Sequence, residues 1–209
     1  FSALVCRTEH GMTGLIEPVQ DERRWPEIAA TLARAFGDDP AFSHIFPDAQ
    51  IRAARLPRLF ELFLRTDAPD GFVLASADGA GASLWRAPGK AHVSTLTMLR
   101  HAPALIGAFG MALPRALTLG NEVDAHHPKG RYWYLHVLGC DPARQGQGIG
   151  AALVCAGLDR IERDGLPCYL ETATASNVGF YERLGFAVTQ EWQAPKGPML
   201  WSMLRPAAV

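Results

Sequence analysis

The spacing of apolar residues predicts two amphipathic helices in the first third of the chain. Apolar side chains recur at helical intervals from Trp25 to Phe36, where Asp21 is placed to cap the start and Gly37 to end the helix. A loop is expected at 38–40. In the second helix Pro57 favours a start or a kink, because proline lacks an amide proton. The apolar stripe of that helix comprises Leu56, Leu59, Phe60 and Phe63.

Alternating or continuous apolar runs bounded by turn residues predict the strands, and two further helices lie among the later ones. The strands are expected at 14–20, 71–76, 82–86, 131–139, 166–172, 186–192 and 198–203, and the helices at 148–164 and 176–184. Neither an internal repeat nor a long linker interrupts this order, so we expect one α/β (α+β) domain over 14–205 with a mixed sheet. Prolines and glycines break helical patterns at about 88–130, which predicts a helical insert. Residues 1–13 are expected to be a disordered or artificial extension.

Composition and charge exclude several classes of protein. The 209 residues carry a formal net charge of −1, with 48% hydrophobic and 20% charged residues, so a disordered scaffold and a broad nucleic-acid or anionic-membrane footprint are not expected. The most apolar stretch, 102–113, has twelve residues, whereas a membrane-spanning helix needs about 20. The four cysteines show no CxxC pair and no metal-ligand spacing, which predicts reduced thiols, no metal site and a cytoplasmic location.

The most informative segment is a glycine-rich loop, Cys140–Gly150, between a predicted strand and a predicted helix. Gly146, Gly148 and Gly150 leave the backbone bare, so a ligand can approach its amide groups closely. Those amides open the next helix, where unpaired N–H groups and the helix dipole favour an anion such as a pyrophosphate. The alternative is a glycine-rich turn that binds nothing.

A dinucleotide-binding unit is a second interpretation of the same loop. Gly146, Gly148 and Ala151 satisfy G-x-G-x-x-G/A, and Glu171 ends the next predicted strand. Against it, 141–145 separate the strand from the first glycine, and only 38 residues follow Glu171, too few for the second half of a doubly wound sheet. A P-loop is excluded, since no Gly-Lys-Ser/Thr follows.

Two motifs together resemble those of GNAT-type N-acetyltransferases. Gln145–Gly150 is similar to the Q/R-x-x-G-x-G/A signature, and Asn177 with the FYERLGF block at 180–186 is similar to the family's second motif. The resemblance covers 131–192 closely and extends to 14–205. It implies a mixed, mostly antiparallel central sheet with helices on both faces. Among subfamilies, 127–129, 170–172 and the FYERLGF block look most like puromycin N-acetyltransferase and its uncharacterised relatives, although an insert of about 40 residues precedes Arg131.

The resemblance implies acetyl-CoA as cosubstrate and assigns a binding role to three segments. A bulged strand would bond the acetyl carbonyl and the pantetheine arm through the backbone around Leu138, Gly139 and Cys140. The pyrophosphate would lie on the amides of the loop, and Asn177 would bond the pantetheine arm or cap its own helix. The loop residues are Gln145, Gly146, Gln147, Gly148, Ile149, Gly150 and Ala151.

Three residues are candidates for proton transfer. Tyr181 is expected to be the general acid near the CoA sulfur, the alternative being an aromatic packing role. Glu171, at a strand end and on the face of Tyr169, is the first candidate for the base. His136 is the second, on a strand face opposite Leu135 and Val137. A solvated loop is expected for 126–127.

These residues favour an acetyl-CoA-dependent N-acetyltransferase that moves an acetyl group to a primary amine by direct transfer in a ternary complex. The expected partner is a small-molecule amine, which includes an aminonucleoside or another antibiotic, with neither nucleic acid nor membrane. The alternatives are a noncatalytic acyl-CoA-binding sensor and a dinucleotide-binding oxidoreductase. Four residues of the insert either wall the acceptor pocket or form helix core: Met98, His101, Phe109 and Met111.

Overall fold

Seven strands form one mixed sheet in the computed structural model, which describes residues 16–92 and 95–207. The strands are β1 (Ile16–Pro18), β2 (Gly71–Ser76), β3 (Gly81–Arg86), β4 (Trp133–Cys140), β5 (Cys168–Thr172), β6 (Ala187–Gln193) and β7 (Met199–Arg205). Their order is β1-β2-β3-β4-β5-β7-β6. Only β4 and β5 pair in parallel; the other neighbours are antiparallel. The predicted extension at 1–13 lies outside the described residues.

Helices cover both faces of this sheet, as predicted. They are α1 (Trp25–Ala35), α2 (Pro40–Ile45), α3 (Ala49–Asp67), α4 (Thr95–Arg100), α5 (Ala102–Phe109), α6 (Leu113–His126), α7 (Ile149–Ile161) and α8 (Ala175–Arg183). On one face Leu32 and Phe60 pack with Leu84 in a buried cluster. On the other face Leu153 and Leu158 of α7 pack with Trp85. Each apolar helix stripe is therefore removed from water against the sheet, which stabilises the layered fold.

The predictions for 38–67 were partly wrong. The expected loop ends in helix α2, because Asp39 accepts hydrogen bonds from the amides of Ala41 and Phe42, and Pro40 suits the first helical position. Helix α3 begins well before Pro57, which lies inside it. Its first turns carry polar residues such as the buried Arg52, so their helical period was hidden from the apolar pattern.

A β-bulge at His136 changes the face of β4. Leu84 pairs with Val137 and Trp85 with Leu135, so His136 is the extra residue between them. As a result Leu135 packs on the α7 side and Val137 on the α1 side. The prediction that Leu135 and Val137 share a face was therefore wrong, because strict alternation does not continue through a bulge.

Helices α4, α5 and α6 lie between β3 and β4. The stretch Ala102–His126 has the length and hydropathy of a membrane-spanning helix, with 17% of its most apolar window buried. It is nevertheless broken by a 3-10 turn at Gly110–Ala112, where Gly110 has φ +52°. Because the helical axis is interrupted there, α5 and α6 are two short helices rather than one continuous span.

Among the described residues, Cys155 differs from the prediction. Cys140 and Cys168 are free thiols, whereas Cys155 is disulfide-bonded; Cys6 lies outside the described residues. The expectation of four reduced thiols was based on local spacing, which carries no information about pairing between distant positions. Within 16–92 and 95–207, no group of three metal-ligating side chains occurs.

Candidate functional site

A cavity of about 390 Å³ lies where β4 and β5 separate. The two strands pair only at Trp133–Cys168 and Tyr134–Tyr169, and beyond the bulge they diverge. Five predicted site residues line the cavity: His136, Leu138, Glu171, Asn177 and Tyr181. The remaining predicted binding residues, Gly139, Cys140 and 145–151, lie outside it, toward the start of α7.

His136 is held by a buried carboxylate. Its Nδ1 atom lies 2.5 Å from Oδ2 of Asp67, the fully buried last residue of α3. Arg86 donates from Nε (2.9 Å) and Nη2 to the other oxygen, Oδ1. Nε2 of His136 contacts no hydrogen-bond partner in the described part of the chain, so it is available to accept a proton from a molecule in the cavity.

Neighbouring donors keep Asp67 charged in this setting. Burial alone opposes ionisation, yet the electrostatic and hydrogen-bond contacts with His136 and Arg86 hold the pKa of Asp67 below its ordinary value. The carboxylate therefore acts as a fixed negative group behind the imidazole ring. The ring of Phe63 lies 4.9 Å from the imidazole and restricts its orientation further.

Both carboxylate oxygens of Glu171 lie against neighbouring side chains, but only one accepts a hydrogen bond. Oε2 accepts a hydrogen bond of 2.8 Å from the hydroxyl of Tyr134. Oε1 lies 2.8 Å from Nε2 of His127, a close contact whose alignment falls short of a hydrogen bond. Nδ1 of His127 in turn contacts the hydroxyl of Tyr132 at 2.8 Å. With side-chain exposures of 7% and 2%, Glu171 and His127 form a largely buried pair in the cavity wall.

This pair overturns the expectation of a solvated loop at 126–127. Helix α6 continues to His126, whose ring stacks on Trp192 at 4.0 Å, and delivers His127 against β4 and β5. Burial first, and then the charge of Glu171, raise the pKa of Tyr132 to about 12 and the pKa of Tyr134 well above its usual range. Both phenols therefore remain protonated donors near neutral pH.

Tyr181 presents a phenol whose hydroxyl is uncommitted within the described residues. It lines the cavity from α8, and its ring packs against Phe180 (4.9 Å between centroids) and Phe186 (5.9 Å). Burial raises the pKa of Tyr181, so the hydroxyl keeps its proton and can donate it in a hydrogen bond. The aromatic packing role and the donor role are thus compatible.

Asn177 borders the cavity and also orders the corner between β5 and α8. Its side-chain Nδ2 donates to Oγ1 of Thr172 at 3.4 Å, and its amide donates to the carbonyl of Thr174 at 2.9 Å. The local role expected as an alternative therefore coexists with a position beside the cavity.

The glycine loop has the geometry of an anion site. Gly146 (φ +77°) and Gly148 (φ +81°) adopt the left-handed conformation that glycine favours. Ala152 donates the first backbone hydrogen bond of α7, to Gly148, while the amides of 146–151 donate none to the rest of the described chain. These free N–H groups at the start of a 13-residue helix are suited to hold an anion such as a pyrophosphate.

The insert contributes part of the cavity wall. Met98, His101 and Phe109 line it, whereas Met111 is 96% exposed, so its predicted place in the pocket or the core was wrong. The prediction failed because the 3-10 turn after Gly110 rotates Met111 away from the face used by Phe109.

Comparisons with known proteins agree with this architecture. Residues 54–186 match the family described as Acetyltransferase (GNAT) family. An uncharacterised N-acetyltransferase of Schizosaccharomyces pombe is 30% identical over 186 residues, which cover 81% of this chain and 73% of that protein. A mycothiol acetyltransferase of Nocardiopsis dassonvillei is 31% identical over 172 residues, but the chain spans only 40% of that protein's length.

Solved structures share the fold over nearly the whole chain. A Corynebacterium glutamicum structure, described as histone acetyltransferase HPA2 and related acetyltransferase, has a TM-score of 0.71 at 27% identity, covering 93% of this chain and 96% of that one. Arylalkylamine N-acetyltransferase 2 from Aedes aegypti has a TM-score of 0.67 at 15% identity, covering 92% and 98%.

Proposed function

The chain belongs to the GNAT acetyltransferase family, and we propose that this acyltransferase moves an acetyl group from acetyl-CoA to the primary amine of a small molecule. The observation that carries the proposal is the cavity between β4 and β5, which brings an uncommitted imidazole nitrogen of His136 and an uncommitted hydroxyl of Tyr181 to one space. Direct transfer in a ternary complex suits this arrangement, because both residues line the same cavity.

Acetyl-CoA, when bound, supplies an acyl group activated as a thioester. The amides from Gln145 to Ala151, which have no backbone partner from Gly146 onward, would hold its pyrophosphate, and Asn177 would bond the pantetheine arm. The backbone of Leu138, Gly139 and Cys140 follows the bulge and would orient the acetyl carbonyl. These are backbone contacts, so they demand a bare loop and a bulged strand rather than particular side chains.

His136 is the better candidate for the base, ahead of Glu171. An amine must lose a proton to react, and Nε2 of His136 has no partner in the described residues, whereas Oε2 of Glu171 accepts from Tyr134 and Oε1 lies buried against Nε2 of His127. Tyr181 would donate its proton toward the departing sulfur, which stabilises the negative charge that develops there.

The acceptor we propose has an apolar body attached to its primary amine. Rings and aliphatic side chains from α1, α3 and the insert form much of the wall, among them Phe36, Leu62, Phe63 and Phe109. The carboxylates of Asp124 and Glu171 in that wall already pair with His92 and His127. Among antibiotic acceptors, the resemblance to puromycin N-acetyltransferase favours an aminonucleoside.

Calorimetry with acetyl-CoA, CoA and NAD(P), followed by thiol release in the presence of amines, tests the proposal. We expect saturable acetyl-CoA binding, no NAD(P) signal, and transfer to 2-phenylethylamine or puromycin in preference to glucosamine and 1,4-diaminobutane. Acetyl-CoA binding without transfer to any amine would support a noncatalytic sensor. Binding of NAD(P) without binding of acetyl-CoA would overturn the proposal, including the role given to the glycine loop.

A matched pair of glycine variants isolates the loop. Gly146 (φ +77°) and Gly165 (φ +59°) flank opposite ends of α7, and a Cβ at either meets no atom within 4 Å. Both substitutions to alanine impose similar backbone strain. We expect Gly146→Ala to weaken acetyl-CoA binding about tenfold or more, and Gly165→Ala to leave it within about twofold.

A further inference from the structure

The carboxylate of Asp67 lies between His136 and Arg86 and contacts both side chains. One carboxylate oxygen contacts Nδ1 of His136, and the other accepts two hydrogen bonds from the guanidinium of Arg86. Thr66 adds a third contact to that second oxygen, at 3.1 Å. Asp67 and Arg86 are buried, whereas the side chain of His136 is 17% exposed at the cavity.

We propose that Asp67 is a positioning residue that fixes His136 with Nε2 toward the cavity. Arg86 shares the same carboxylate and thereby weakens its stabilisation of the protonated imidazole. The inference rests on the proposed function only in treating His136 as the base. Asp67 accepts a hydrogen bond from Nδ1–H, which leaves the lone pair of the neutral ring on Nε2. A ring in the other tautomer would present an N–H to the amine and accept nothing.

The charged and titratable groups around His136 come from five elements. Helix α3 supplies Asp67, and β3 supplies Arg86. Strand β4 supplies Tyr134, whose ring lies 5.3 Å from the imidazole and whose hydroxyl donates to Glu171 of β5. Helix α8 supplies Tyr181 at the same cavity. Asp67 is the carboxylate in direct contact, so it dominates the electrostatics of the ring.

Opposite charges on the two partners predict opposite effects on proton uptake. The negative charge of Asp67 favours the protonated imidazole, and the positive charge of Arg86 opposes it. Removing Asp67's charge must therefore ease deprotonation, while removing Arg86's charge must hinder it. If the cluster had a purely structural role, the two substitutions would change stability, but they would not shift proton uptake by His136 in opposite directions.

The test compares Asp67→Asn, Arg86→Gln and the charge-preserving control Arg86→Lys in the full chain. For kcat/KM against pH, we expect the acid limb to move down by about one pH unit in Asp67→Asn and up by a similar amount in Arg86→Gln. Arg86→Lys should leave the limb nearly in place. Asp67→Asn should also lower kcat about tenfold or more, with the KM for acetyl-CoA little changed.

NMR titration of the His136 ring, assigned with His136→Gln, reads the same effect without turnover. Opposite displacements of the titration midpoint support the inference, and a shared direction or no displacement overturns it. If Asp67→Asn does not fold, the contrast between Arg86→Gln and Arg86→Lys still decides. Activity retained in His136→Gln would instead remove the proposed base, while the ring titration continues to judge Asp67 and Arg86.

Discussion

Two histidine–carboxylate pairs border the same cavity, and they differ in what remains free. In the His127–Glu171 pair, both ring nitrogens and both carboxylate oxygens have neighbours at 2.8 Å. In the His136–Asp67 pair, the carboxylate is saturated by Arg86 but Nε2 of the ring is open to the cavity. The same pairing of a histidine with a carboxylate therefore leaves no ring nitrogen free in one place and leaves Nε2 free in the other.

Exposure and partner count, rather than residue type, separate these roles. His127 is 2% exposed and lies within contact of three tyrosine rings, so its imidazole is part of a packed cluster. His136 sits at a bulge, where the extra residue of β4 is released from regular pairing and aimed at the cavity. The bulge thus accounts for the different surroundings of the two histidines.

Replacing the two histidines in turn is expected to give the largest contrast. His136→Gln should lower kcat by about 10²–10⁴-fold, the usual contribution of a general base, with acetyl-CoA binding retained. His127→Gln should lower kcat by no more than about tenfold and destabilise the fold by about 1–3 kcal/mol, because it leaves a buried carboxylate without its partner. Steady-state kinetics and thermal melts measure both. An equal loss of kcat in the two variants would abolish the distinction.

Two buried phenols sharpen the comparison at a smaller scale. Tyr134 donates to Glu171, whereas the hydroxyl of Tyr181 has no partner in the described chain and faces the cavity. Tyr181→Phe should lower kcat about 10- to 100-fold, the worth of a hydrogen bond to a developing charge, without weakening acetyl-CoA binding. Tyr134→Phe serves as the matched control and should act mainly on stability. Unchanged turnover in Tyr181→Phe would limit that residue to packing.

The fold could be predicted from the sequence because the patterns that indicate its helices and strands are local. The strand at 71–76 and the helix from Trp25 follow directly from apolar period and turn residues. The two boundaries that failed, α2 and the start of α3, depend on cap hydrogen bonds of Asp39 and Asp48 and on a buried arginine. A hydrophobic pattern does not register such polar contacts.

The site could be predicted only where its residues belong to one continuous segment or to a recognisable motif. The glycine loop lies at the start of α7 as its spacing indicated, and Tyr181 and His136 reach the cavity. Asp67 and Arg86 were missed, since they meet His136 across 69 and 50 positions of the chain, and no local pattern marks that meeting. The available hint was Asp67, a charged residue at the end of an apolar helix just before the strand Gly71–Ser76.

Glu171 provides the smallest expected kinetic effect and the most direct check on which pair does chemistry. Glu171→Gln keeps the size of the side chain and an oxygen for Tyr134, but it removes the charge opposite His127. We expect kcat to fall less than about tenfold and the acid limb of the pH–rate profile to stay in place, because Glu171 does not take the proton. Chemical denaturation should show a loss of about 1–3 kcal/mol, since a buried polar contact is broken. A displaced acid limb with normal stability would reverse the assignment, making Glu171 the proton acceptor and His136 the wall.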